Sequence, residues 1–132
     1  AGHSVANHTF NHLNGWKSDT ATYLDNIALA DKLIDSRAFR PPYGKLTPAQ
    51  LKALTNGDNP MKIYMWDVLS ADFDQTIDAT QCTDNVIKNI RPGSIALFHD
   101  SEKSWRLMSA ALPDTLNYCQ KKNWQMKALP TT

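Results

Sequence analysis

Short apolar runs rich in β-branched and aromatic residues alternate along this chain with longer stretches in which apolar residues recur at helical spacing. The runs that read as strands are Ser4 to Thr9, Ala38 to Arg40, Lys62 to Val68, Ser94 to His99 and Trp124 to Leu129. Strands and helices in alternation are typical of a mostly parallel sheet covered by helices. The pattern therefore predicts an α/β fold.

Helices are predicted in the intervals between these strands, from apolar spacing and from capping residues. The predicted helices run from a cap at Asp19 or Thr20 to Ile34, from Thr47-Pro48 to Asn56-Gly57, from Cys82 to Ile90, and from about Ala111–Pro113 to Lys121. No repeat, linker or low-complexity tract interrupts them. We therefore expect a single domain over residues 1–132.

Composition narrows the classes of partner. The 132 residues carry 14 basic and 13 acidic side chains, a net charge of +1, without runs of like charge. A nucleic-acid or anionic-membrane surface is therefore not expected. The apolar runs are too short for the roughly 20 residues of a membrane span, and no signal segment is visible, so localisation stays open. Cys82 and Cys119 are isolated and are expected to pack as small apolar groups on helices.

Polar residues cluster at or just beyond the carboxyl ends of the predicted strands. The clusters are His8 with His12, Arg40 to Gly44, Asp67 to Asp74, and His99-Asp100. In α/β sheets and barrels the loops after the strands converge at this edge, and active sites collect there. We therefore expect these segments to contribute to one active site.

His8 and His12 are candidate metal ligands. Their Cβ atoms would lie about 6 Å apart if the segment turns helically and about 13 Å apart if it stays extended. Only the turned form can chelate one ion. Imidazole suits zinc, but a catalytic zinc normally has three protein ligands and a water, so the pair is one ligand short. Taken alone, it is equally consistent with polar side chains at a strand end. His3 is expected to be structural.

Arg40-Pro41-Pro42-Tyr43-Gly44 predicts a stiff turn. Each proline fixes its own φ and keeps the preceding residue extended, so Arg40 is held at the strand end and Tyr43 is presented on the turn. A rigid backbone N–H suits stabilisation of a developing oxyanion. The segment alone is equally consistent with a proline turn beside a solvated arginine.

The stretch from Trp66 to Asp74 begins as a buried strand and becomes an acidic loop. Acidic loops are usually just solvated, but an aspartate here can orient a histidine on the neighbouring strand and favour its protonated form. His99 follows a fully apolar run, which places its ring at the rim of the core. Its coincidence with the other motifs favours catalysis over a hydrogen-bonded core histidine.

In order and spacing these segments resemble the polysaccharide deacetylases of carbohydrate esterase family 4, over nearly the whole chain from Gly2 to Leu129. The resemblance implies a divalent metal, preferentially zinc, bound by His8 and His12. It further implies that Arg40 braces the catalytic base, that the Tyr43 N–H helps to form the oxyanion hole, and that Asp72 tunes His99 as general acid.

The resemblance also implies substrate-binding residues and a fold. Leu97 would line the space for the acetyl methyl group, Phe73 stands where the family usually has tryptophan, and Trp66 opens the same motif. The family fold is a distorted (β/α) barrel. The Asp-Asp pair that opens the family's active site does not occur in the chain, so an N-terminally truncated, partial barrel is expected, with an exposed sheet edge open to self-association.

For the intact enzyme the resemblance implies hydrolysis of N-acetyl groups on amino-sugar polysaccharides or oligosaccharides, with little activity from the fragment alone. Two alternatives stay open. One is a non-catalytic remnant that binds a glycan or a partner, and the other is a metal-dependent esterase acting on O-acetyl groups. The substrate is not readable from the sequence, because the loops that select it carry no motif.

Overall fold

A computed structural model describes residues 2–131 and divides the chain into two compact units. The first unit comprises residues up to 65 together with the tail from 128, and the second comprises residues 66–127. Ala1 and Thr132, the limits of the predicted single domain, lie outside the described residues. That domain assignment stays a prediction, and each unit is described by itself.

In its described residues, 2–65 and 128–131, the first unit contains two helices and two strands. They are α1 (Thr20–Asp31), β1 (Ala38–Phe39), α2 (Pro48–Thr55) and β2 (Lys62–Ile63), with 3₁₀ turns at Gly15–Lys17 and Pro42–Gly44. Strands β1 and β2 pair in parallel, with Ala38 opposite Lys62. Both helices begin at the predicted caps, because the side chains of Asp19 and Thr47 accept the N–H groups of the first turn.

The core of the first unit lies between α1, α2 and the two strands. Its buried members are Tyr23, Ile27, Phe39, Leu54 and Met61. Helix α1 contributes its buried side to this core, which explains the helical spacing of its apolar residues.

The second unit contains β3 (Val68–Leu69), α3 (Ala79–Ile87), β4 (Ala96–Leu97) and α4 (Glu102–Lys121). Strands β3 and β4 pair in parallel, with Val68 opposite Ala96. Cys82 on α3 packs with Leu107 and Ala111 on α4 to form the core. Cys82 and Cys119 are buried free thiols on helices, so their predicted role as apolar packing groups is confirmed.

The α/β class with parallel strands is confirmed, but the strands are shorter than predicted. The predicted strand from Ser4 to Thr9 is reduced to one bridge between Asn7 and Phe39. Residues 62–68 form two separate strands, because the chain leaves β2 after Ile63 and pairs again, with β4, only from Val68.

The predicted strand from Trp124 to Leu129 is wrong, since that segment is not a strand. In the first unit the Leu129 carbonyl accepts a bond from the Ser4 hydroxyl at 2.8 Å, which is not part of a ladder. An apolar run becomes a strand only where a partner strand pairs with its backbone.

The last helix begins at Glu102, some nine residues before the predicted start at Ala111 to Pro113. Proline is common at the first turn of a helix, which is why Pro113 indicated a start there. Pro113 lies instead inside α4. The N-cap of this helix is Ser101, and the Ser101 hydroxyl accepts the Ser104 N–H. Within residues 2–131 no helix is both long and apolar enough to cross a membrane.

Candidate active site

Asn7 fixes the backbone immediately before His8. It is fully buried; its N–H donates to Ala38 and its carbonyl accepts from Arg40, at 2.9 and 3.0 Å. Its side-chain amide donates to Asp31 Oδ1 at 2.7 Å and to a carbonyl of α1. Because these bonds run to both β1 and α1, the position of His8 is set by the core of the unit.

The His8 ring is oriented by a backbone carbonyl. Its Nδ1 lies 2.5 Å from the Arg40 carbonyl oxygen. A carbonyl only accepts, so Nδ1 carries the hydrogen, and in the neutral ring Nε2 keeps the lone pair that a metal needs. The ring centroids of His8 and His12 are 4.9 Å apart. The segment therefore adopts the turned geometry that chelation requires, while the metal role of the pair remains a prediction.

The turn from His8 to His12 contains two residues in the left-handed region that non-glycine residues seldom adopt. Thr9 has a φ of 61° and His12 a φ of 55°. Asn26 on α1 stabilises the turn: it accepts the Asn11 N–H at 2.8 Å, donates to Asn11 Oδ1 at 2.7 Å, and its carbonyl accepts the Phe10 N–H. Strain of this kind persists only where surrounding bonds enforce it, and it concentrates at functional sites.

The segment from Arg40 to Gly44 forms the stiff turn that its prolines predict. Pro41 and Pro42 are fully buried, and Tyr43 follows with φ 58° and ψ 8°. The Tyr43 ring stands edge-to-face on His12, with centroids 4.7 Å apart. The Arg40 Nε donates to the Tyr64 carbonyl at 3.4 Å, and burial lowers the pKa of the guanidinium. The structure therefore brings His8, His12, Arg40 and Tyr43 together in the first unit.

The donor set for a metal is incomplete among the residues described. Two imidazoles fit zinc chemically, but residues 2–131 contain no group of three or more His, Cys, Asp or Glu side chains placed to hold an ion. A catalytic zinc normally takes three protein ligands. His8 and His12 would supply two of them, and their role as ligands stays a prediction. His3, expected to be structural, is exposed.

Asp72 and His99 form the polar centre of the second unit. Asp72 is fully buried, and its Oδ2 accepts the His99 backbone N–H at 2.6 Å while its Oδ1 lies 2.7 Å from His99 Nδ1. A carboxylate on Nδ1 fixes the tautomer and leaves Nε2 as the outer nitrogen of the ring. Because 39% of the His99 side chain is exposed, the ring can meet a reactant.

The Asp72 loop is braced by neighbouring polar groups. The Asp72 N–H donates to the buried Ser70 hydroxyl at 3.3 Å, and Asn85 donates to the Ser70 carbonyl at 3.0 Å. Ala71, between them, has a φ of 58°. Ala71 is thus a further strained position, and it directly precedes the buried carboxylate that holds His99.

The residues expected to bind substrate occupy different settings. Phe73 is 39% exposed and stands edge-to-face on the His99 ring at 5.2 Å. Leu97 is buried on β4, two residues before His99, and Trp66 is half-buried at the start of the unit. Phe73 therefore contacts a candidate catalytic side chain.

The other two aspartates of the acidic stretch have hydrogen-bond partners of their own. Asp67 accepts the Ile95 N–H at 2.7 Å and the Ser94 hydroxyl at 2.9 Å. Asp74 accepts the Thr76 N–H and hydroxyl. These hydrogen bonds lower the pKa of both carboxyls. Asp72 is thus the aspartate of this stretch that engages His99.

Asn7 and Asn26 were not identified as site residues from the sequence. The available signal was Asn26, a polar residue on the buried, otherwise apolar side of α1 between Tyr23 and Ile27. Its partner lies 15 residues away, so the sequence alone gives no indication of what it binds.

Comparisons with known proteins find relatives in sequence. A peptidoglycan-N-acetylglucosamine deacetylase of Bacillus cereus is 32% identical over 106 residues, 76% of this chain and 38% of that protein. A chitooligosaccharide deacetylase of Bradyrhizobium is 31% identical over 106 residues, 75% of this chain and 47% of its own. The chain thus spans less than half of either protein. No protein-family model matches it.

A solved structure extends the similarity to the whole fold. The crystal structure of a peptidoglycan N-acetylglucosamine deacetylase, bound to 4-naphthalen-1-yl-N-oxidanyl-benzamide, superposes with a TM-score of 0.83 at 28% identity. The match covers 98% of this chain and 62% of that one. With the motif order already found, these similarities relate the chain to the polysaccharide deacetylases of carbohydrate esterase family 4.

Proposed function

We propose that this chain is part of a metal-dependent hydrolase that removes N-acetyl groups from amino-sugar polysaccharides or oligosaccharides. The observation that carries the proposal is that the buried Asp72 carboxylate accepts hydrogen bonds from both the ring and the backbone N–H of His99. The named relatives act on peptidoglycan N-acetylglucosamine and on chitooligosaccharides, which supports an N-acetylated amino sugar as the substrate class.

His99 is proposed as the general acid. Amide hydrolysis must expel an amine, which is a poor leaving group until it is protonated. With Nδ1 held by Asp72, the proton can be delivered only from Nε2, the outer nitrogen. The buried carboxylate also stabilises the imidazolium that carries that proton. Phe73, stacked edge-on against the ring, limits its rotation.

Tyr43 is proposed as an oxyanion donor through its backbone. The hydrogen bonds of its turn are made by Gly44 and Lys45, whose N–H groups donate to Pro41 and Pro42. Because the prolines and the left-handed φ fix the turn, the Tyr43 N–H is oriented before any substrate arrives. A donor already in place needs no reorganisation as charge develops on the acetyl oxygen.

His8 and His12 are proposed to hold the metal, most suitably zinc, with a third ligand from outside the residues described. When bound, such an ion would supply Lewis-acid polarisation and lower the pKa of a water. The chain's own contribution is to present the two rings 4.9 Å apart on a braced turn. The Arg40 carbonyl selects Nε2 of His8 as the ligand atom.

The proposal is tested by measuring acetate released from N-acetylglucosamine oligomers and from O-acetylated xylan by the longest native protein that contains this chain. Release from the amino-sugar oligomers that is lost in His99→Ala supports an N-deacetylase. Release from xylan alone would indicate the esterase instead. Binding of oligomers without release from either substrate would indicate a non-catalytic glycan-binding remnant.

A further inference from the structure

The large aromatic side chains that the first unit exposes include two at the candidate metal pair, Phe10 and Tyr43, and a third, Trp16. Phe10 is 53%, Trp16 64% and Tyr43 60% exposed, whereas Tyr23 and Phe39 are completely buried. Phe10 belongs to the histidine turn and Tyr43 packs on His12. Exposed aromatics that gather beside one candidate site indicate a ligand surface more strongly than scattered ones. Trp16 has no role yet in the proposed reaction.

Trp16 is held firmly despite its exposure. Its backbone N–H donates to Asn14 Oδ1 at 3.0 Å, and its indole Nε1 donates to the Leu46 carbonyl at 3.3 Å. The Lys45 ammonium lies 3.8 Å from the centre of the indole, close enough for a cation–π interaction. Both the backbone and the indole of Trp16 are therefore held in place.

The segment beneath Trp16 is locked to the turn that carries Lys45. A Cβ added to Gly15 would lie 2.3 Å from the Lys45 carbonyl oxygen, so only glycine allows this approach. Gln50 is completely buried and donates to the carbonyls of Gly15 and Ser18 at 2.9 and 3.2 Å. The buried Gln50 side chain thus orders the exposed loop that carries Trp16. Trp16 is therefore pre-organised, which lowers the entropic cost of binding a ligand.

Resting on the proposed function, we infer that Trp16 is a subsite for a second sugar ring of the glycan, next to the residue that is deacetylated. A pyranose ring has an apolar face of C–H groups and a polar rim, which suits a flat indole with water around it. Lys45 follows Tyr43 by two residues, so their Cα atoms are at most about 7.6 Å apart. Trp16 therefore contacts the chain at Lys45, two residues after Tyr43.

The test is titration of the ¹⁵N-labelled chain with the tetramer of N-acetylglucosamine, following the indole N–H signals by NMR. The Trp16 signal is assigned from Trp16→Phe and is expected to move in a saturable way. Trp16→Ala and Trp16→Leu should weaken binding about tenfold, whereas Trp16→Phe should stay within about threefold, because it keeps an aromatic face. Trp105→Ala is the matched control, since Trp105 is 63% exposed, and it should bind like the wild type.

An unmoved Trp16 signal at saturating tetramer, or equal affinity of Trp16→Ala and wild type, would overturn the subsite. So would an equal loss in Trp16→Phe and Trp16→Ala, which would indicate that only the Nε1 bond matters. These results leave the proposed function standing, because that function is judged by acetate release and by His99→Ala. Circular dichroism of each variant separates lost binding from lost folding.

Discussion

Both oxygens of the Asp72 carboxylate are used by one residue, His99. Oδ2 accepts the backbone N–H at 2.6 Å and Oδ1 accepts from Nδ1 at 2.7 Å. The carboxylate is fully buried, while the histidine ring reaches the surface. The Asp72 charge is thus kept from water and interacts with the partly exposed His99 ring. A histidine that donates a proton to a substrate requires this arrangement.

Asp72→Asn should disturb both the tautomer of His99 and the stability of the second unit. The amide has one acceptor oxygen, so it cannot accept from the backbone N–H and from Nδ1 at separate oxygens. Losing a buried hydrogen bond to a charged group should lower the free energy of unfolding by about 2 kcal/mol. Urea unfolding measures this change. ¹⁵N spectra of the imidazole should show a loss of the Nδ1–H form. Asp100→Asn, at the exposed neighbour of His99, is the control and should change neither the imidazole spectrum nor the unfolding free energy. A wild-type imidazole spectrum in Asp72→Asn would contradict the orienting role of Asp72.

Metal binding should depend on His8 and not on His3. With two imidazole donors in the described part of the chain, zinc should bind weakly, and His8→Ala should abolish that binding in titration calorimetry. His12→Ala should do the same. His3→Ala removes an exposed histidine and serves as the control. Tight zinc binding that survives His8→Ala would show that the pair is not the metal site.

His99→Ala should separate proton transfer from metal binding. In a longer protein that supplies the Asp-Asp motif of the family, the substitution should lower turnover by about 10² to 10⁴, the usual contribution of a general acid. Zinc content, measured by atomic emission, should stay at the wild-type value. Loss of zinc together with turnover would make His99 a ligand and would revise the roles of all the histidines.

The sequence predicted those features of the fold that depend on near neighbours. The caps at Asp19 and Thr47 follow from side chains that bond N–H groups three residues ahead. The turn at Arg40 to Gly44 follows from its prolines. Each signal lies within a few residues of the structure it specifies, so it could be read without knowledge of the tertiary fold.

The errors fall where distant partners decide the structure. The run from Trp124 to Leu129 is apolar enough for a strand, but a strand needs a paired neighbour that this segment lacks. Pro113 resembles a helix start, yet α4 continues through it because Leu107 and Ala111 already pack against α3. The candidate ligands were found from their motifs, whereas Asn26 was missed because its partner is remote in sequence.

Asn26→Ala should destabilise the first unit and loosen the histidine turn. The substitution removes both side-chain bonds to Asn11 at a buried position, at a cost of about 1–3 kcal/mol in the free energy of unfolding. Asn11→Ala should cost less, because Asn11 is exposed and water replaces its partner. The double variant should show a coupling of about 1 kcal/mol. Purely additive effects would show that the bond between the two side chains adds nothing to the stability of the turn.

Asp67 should make the stability of the second unit depend on pH in the acid range. Its pKa is lowered below 3.8 chiefly by the Ile95 N–H, then by the Ser94 hydroxyl. A carboxyl with a depressed folded pKa contributes stability that is present above the unfolded value, near pH 4, and is lost as the pH falls through the folded value. Asp67→Asn should therefore flatten the pH dependence of unfolding below about pH 4. Asp58→Asn, at an exposed position, controls for the lost charge. An equal flattening in both variants would show that net charge, and not the Ile95 and Ser94 bonds, sets the loss of stability at acid pH.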